Sequence, residues 1–171
     1  MPARSRHLTL LRPLRLDMGA LEAAFDPSAP EDSAYLDLET GDVVTLTPRE
    51  VTRAIHAEPE DLATWDPDRY ELVRSVLARI GKRYRPVPVD EPADLWSDAK
   101  EFVGTVNDAK LAKRLGAALA GAGPVHRFFR IVWDAEIADE WGTFVAAQRR
   151  ERIVAWLTSL GYSPLWSETD P

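Results

Sequence analysis

Two kinds of hydrophobic spacing divide the chain. In the first half, short β-prone runs alternate with turns. Tyr35-Leu36-Asp37-Leu38 and Val43-Val44-Thr45-Leu46 flank Glu39-Thr40-Gly41-Asp42, and Gly41 supplies the positive φ that a tight turn requires. This predicts a hairpin over residues 34–47 with one buried and one wet face. Helical signals surround it. Asp17 is placed to cap a short helix holding Leu21, Ala24 and Phe25. Thr47-Pro48-Arg49-Glu50 carries a cap, a proline at the first helical position and an acid able to close a capping box. Asp66-Pro67 opens another helix, in which Tyr70, Val73, Leu77 and Ile80 share a face before Gly81. Residues 84–89, pinned by Pro86 and Pro88, read as a third, edge strand beside the hairpin.

From Pro92 onward the period changes to that of helices. Leu95, Ala99, Phe102, Val103 and Val106 form one stripe. Asn107 is placed to cap a helix whose apolar face holds Leu111, Leu115, Ala118 and Leu119. Gly121 and Gly123 break the chain, and Pro124 starts a helix with Val125, Phe128, Phe129 and Val132. A last long helix, from about Glu136 to Gly161, carries Ile137, Trp141, Phe144, Val145, Ile153, Trp156, Leu157 and Leu160. The pattern predicts an α+β fold: a hairpin or small antiparallel sheet with helices, then a unit of about four helices. The predicted divisions are a basic arm over residues 1–16, an α+β subdomain over 17–91, a helical subdomain over 92–162 and a tail over 163–171.

Composition adds exclusions. At 171 residues, 45% hydrophobic and 29% charged, the chain has enough apolar surface for a core without staples. It has no cysteine, which removes disulfides, thiolate metal sites and a cysteine nucleophile. No apolar run approaches the ~20 residues that span a bilayer, and no signal-peptide core precedes Arg12 and Pro13, so a cytoplasmic location without membrane contact is expected. A formal net charge of −7 argues against a general nucleic-acid coat.

Four phrases occur together: residues 35–43 (YLDLETGDV); Phe102-Val103-Gly104-Thr105-Val106-Asn107-Asp108 followed by Leu111 and Leu115; Gly121-Ala122-Gly123 leading to Arg127-Phe128; and Trp156-Leu157-Thr158-Ser159-Leu160-Gly161-Tyr162. In order and spacing, over roughly residues 17–162, they resemble the bacterial group known as uncharacterised protein family 158. The resemblance implies a small bacterial cytoplasmic protein and brings no activity or catalytic residue with it. The chain departs from the family pattern at Val125, where a phenylalanine is usual, at His126, where an arginine is usual, and at Phe129, where a lysine is usual.

Candidate chemistry is sparse. Gly121 and Gly123 before a helix, with His126, Arg127 and Arg130, offer backbone N–H groups and positive charge to an anion or an acidic partner. The plainer account is a helix stop, a turn and a helix start. A basic surface is built from Arg4, Arg6, Arg12 and Arg15 in the arm and Arg149, Arg150 and Arg152 in the last helix, or those last three serve ion pairs. Asp37, Glu39 and Asp42 read as solvated turn residues, and Asp90, Glu91, Asp94, Asp98 and Glu101 as a wet helix face. His7, His56 and His126 are isolated, so no metal site is assigned. No catalytic residue and no cofactor is assigned either. Of six tryptophans, Trp96, Trp133, Trp141 and Trp156 lie in the helical half, where most are expected in the core, whereas Trp65 and Trp166 sit in loop-like segments. The leading expectation is a non-enzymatic interaction or regulatory module with a protein partner. The alternatives are a nucleic-acid-associated protein using the basic arm and the Gly121–Arg130 turn, and an enzyme on a phosphorylated small molecule.

Overall fold

Strand β1 (Arg12–Leu16) passes into helix α1 (Met18–Phe25) across Asp17, whose carboxylate accepts the Ala20 N–H at 2.9 Å. The structure, a computed structural model, describes residues 10–27, 32–56, 64–120 and 123–166. Among these residues it is α+β, with seven helices and two small sheets. Arg4, Arg6, His7 and Gly121 lie outside the described residues, as does the side chain of Trp166. The chain forms two compact units, residues 1–89 with 153–171, and residues 90–152.

In the first unit, β2 (Ser33–Asp37) lies between β3 (Val43–Leu46) and β4 (Tyr84–Pro86), antiparallel to both. The expected hairpin and third strand are therefore present. The expected wet face is not. Ala34, Leu36, Leu38 and Val43 join a core with Leu14, Leu16, Leu21, Phe25, Ile153 and Leu157. Tyr35, Val44, Leu46 and Tyr84 join another with Val73 and Val76. The runs are apolar at neighbouring as well as alternate positions, so both sides of the sheet pack against apolar residues. At the hairpin turn only glycine fits: Gly41 has φ +84°, and a Cβ there would lie 1.8 Å from the Arg15 carbonyl oxygen.

Helix α2 (Pro48–His56) starts as its sequence predicts. Glu50 accepts the Thr47 N–H at 2.8 Å, while the Thr47 hydroxyl accepts the Glu50 N–H at 3.1 Å. Helix α3 (Pro67–Ala78) is capped by Asp66 and stops short of Ile80, which is 41% exposed. The larger difference is at the chain ends. Residues 12–16, grouped above with a basic arm, and residues 163–166, grouped with a tail, lie in β1 and in β5 (Tyr162–Trp166). The two strands pair in parallel, Arg12 opposite Tyr162 and Leu16 opposite Trp166. Leu14 and Leu16 point into the core, while Arg12 and Arg15 stay exposed.

The second unit holds α4 (Pro92–Thr105), α5 (Ala109–Ala120), α6 (Pro124–Asp134) and the first part of α7 (Ala138–Ser159), which continues into the first unit at Ile153. Asp108, one residue beyond the expected Asn107, caps α5 by accepting the Lys110 and Leu111 N–H groups. Trp141 is central to the core, with the rings of Phe128 and Phe102 at 5.1 and 5.2 Å in edge-on contact. No helix among the described residues is long and apolar enough to cross a membrane.

Candidate functional site

The acids and arginines singled out in the sequence fall into two groups: those that hold the fold and those that meet solvent. Asp37 belongs to the first. It is buried at 4% exposure, which corrects its assignment as a solvated turn residue. Burial pushes its carboxyl up, but the Arg83 guanidinium, at 2.6 Å, and the Glu39 N–H outweigh this and hold it below the ordinary value. Arg83 also reaches Glu39 at 2.6 Å. In the same unit Glu50 takes two hydrogen bonds from Arg69, at 2.6 and 3.0 Å. Those bonds, joined by the N–H and hydroxyl of Thr47 and opposed by burial, lower its pKa to about 2.

Asp90 and Asp98, read above as part of a wet helix face, are also buried. Arg152 donates to both, Nε to Asp90 at 2.8 Å and Nη1 to Asp98 at 2.9 Å. Arg149 donates to Asp90 at 2.8 Å. Burial pulls the Arg152 guanidinium down, and the two carboxylates more than offset it, so its pKa is raised. Arg149 and Arg152 are thus removed from the proposed basic surface: a buried carboxylate needs a fixed cation, and these two are held facing Asp90 and Asp98. Arg150 stays exposed and makes its own interaction. These acids were legible as acids; their burial depends on contacts made many residues away.

The solvent-facing group centres on α6. Gly123 has φ +62° and Pro124 takes the first helical turn, as the sequence predicts. His126, Arg127 and Arg130 are all exposed. Trp133, one of four tryptophans of which most were expected in the core, is 75% exposed. It follows His126 and Arg130 at helical spacing, so the three share a face, while Phe128 and Val132 fill the core from the other side. Within α6 the cations Arg127 and Arg130 face one acid, Asp134, and Glu136 follows just beyond the helix. A helical wheel places Trp133 beside Arg130, and that was the signal available in the sequence. Trp65, by contrast, is half-buried, with the Tyr70 ring at 5.2 Å and the Arg53 guanidinium at 4.9 Å.

The described residues of the first unit line a groove and a cleft. A groove of about 750 Å³ runs between α1 and the three-stranded sheet, lined by Ala20, Ala24, Tyr35, Val43 and Val87. A more polar cleft of about 470 Å³ gathers Arg12, Glu39, Arg79, Lys82, Arg83 and Tyr162. Among the described residues no group of His, Asp and Glu side chains is arranged to hold a metal ion.

Together these features define an α+β protein of two units, whose buried carboxylates Asp37, Asp90 and Asp98 are held in ion pairs and whose outer surface offers an aromatic and basic helix face and a basic cleft. No protein-family model, curated protein or solved structure matches the chain.

Proposed function

We propose that the chain is a non-enzymatic interaction or regulatory module that docks an acidic segment of a partner protein on α6. The observation that carries this reading is the 75% exposure of Trp133 on the face that also bears His126 and Arg130. Tryptophan and arginine are the residues from which binding hot spots are most often built. Covering an exposed indole contributes about 2–3 kcal/mol, and the basic neighbours favour a partner of opposite charge. The charge states support the same reading. Acid–base catalysis near neutral pH uses groups shifted towards neutrality. The shifts resolved here run the other way: Asp37 and Glu50 are held ionised, and Arg69, Arg83 and Arg152 protonated. The bacterial and cytoplasmic setting rests on the resemblance to uncharacterised protein family 158.

The test is photo-crosslinking in cells from a reactive amino acid at position 133, with Glu151 as an exposed control position. One acidic protein captured from position 133, absent from position 151 and lost in the Arg127→Glu/Arg130→Glu variant, is the expected result. Equal capture from both positions, or adducts with nucleic acid in place of protein, would remove the protein-docking assignment.

A further inference from the structure

From the polar cleft of the first unit we infer a second site, one for a small phosphorylated molecule, held by Arg12, Arg79 and Lys82. The three cations come from separate stretches of the chain. Arg12 stands on β1, and Arg79 and Lys82 flank the turn between α3 and β4. Backbone bonds hold that turn, with Lys82 N–H donating to the Arg79 carbonyl at 3.1 Å and Gly81 at φ +81°. Tyr162 of β5, opposite Arg12 in the parallel pair, adds a phenol to the same wall.

Charge accounting singles out this place. Arg83 also lines the cleft, but its guanidinium is spent on Asp37 and Glu39. That trio carries one net negative charge, and Arg12, Arg79 and Lys82 exceed it by two. Among the described residues none of these three has a carboxylate within ion-pairing distance, although the chain holds 28 acids against 21 bases. The carboxyl-terminal end of α3 accounts for cations at 79 and 82 through the helix dipole. It does not account for Arg12, which reaches the cleft because β1 is pinned by β5. Three cations lining one cleft leave it with an excess of positive charge that an anion would offset. The forked guanidinium and the compact ammonium suit the several oxygens of a phosphate. A cleft of about 470 Å³ is in the range of small-ligand sites.

The test is an NMR titration of the full chain with inorganic pyrophosphate at low salt, and separately with succinate. Expected are saturable amide shifts at millimolar pyrophosphate, confined to the surroundings of Arg12, Arg79–Arg83 and Tyr162, and markedly weaker binding of succinate. Arg12→Ala and Lys82→Ala should each weaken pyrophosphate binding by about tenfold, with the dispersed spectrum of a folded chain retained. Lys113→Ala, on α5 and outside both sites, should leave it unchanged. Absence of saturation, equal shifts around Arg127 and Arg130, unchanged affinity in both cleft variants, or succinate binding as tight as pyrophosphate would each overturn the assignment.

Discussion

Glu50 shows how much one side chain can do at a helix start. It completes the capping box of α2 and anchors Arg69 of α3, and its pKa falls from the ordinary value of 4.5 to about 2. A carboxylate depressed in this way adds stability that is fully present above pH 4.5 and is lost as the pH falls through about 2. With the pair partly open to solvent, the contribution is about 1–2 kcal/mol. Urea unfolding across that pH window should show the native chain losing more stability than Glu50→Gln. Parallel curves would contradict the assignment. The capping role was legible from Thr47 and Glu50 alone, because it is local. The partnership with Arg69 was not, and neither was the burial of Asp37 or Asp98. An aspartate in a turn or on a helix reads the same whether it meets water or an arginine from another element.

Among elements, α6 separates packing from display. Phe128 is 1% exposed and touches the Phe102, Phe129 and Trp141 rings, whereas Trp133 projects into solvent. Truncating Phe128 to alanine should therefore cost about 3–5 kcal/mol. Truncating Trp133 should change stability by less than about 0.5 kcal/mol. Chemical denaturation of the two variants distinguishes them, and a large loss in Trp133→Ala would mean that its indole is structural. Helices with local start signals were readable to within a few residues: α1 from Asp17, α2 from Thr47 and α3 from Asp66. The hairpin was readable from Gly41. The two-sided burial of its sheet was missed because the apolar pairs Tyr35-Leu36 and Val43-Val44 were read as simple alternation. Trp133 was not singled out because the tryptophans of the helical half were weighed together by residue type, without using its angle on the helix.

For the whole molecule, the two units differ in how they draw on the chain. Residues 90–152 are continuous, and the core of Phe102, Leu115, Phe128, Val132 and Trp141, with the ion pairs of Asp90 and Asp98, lies entirely within them. A fragment of those residues should fold alone, with a helical circular dichroism spectrum and a cooperative melt; a featureless, gradual melt would show that it depends on the remainder. The first unit was the harder to foresee. Its β1–β5 pair joins Arg12 to Tyr162, and parallel pairing leaves no turn between the strands for the sequence to advertise. That pair sets an order of events during synthesis. The ribosome delivers β1 early, yet its partner strand emerges only after the entire helical insert has been made. The amino-terminal segment must therefore wait, with Leu14 and Leu16 unsheltered by β5, while the insert is already free to close around Trp141.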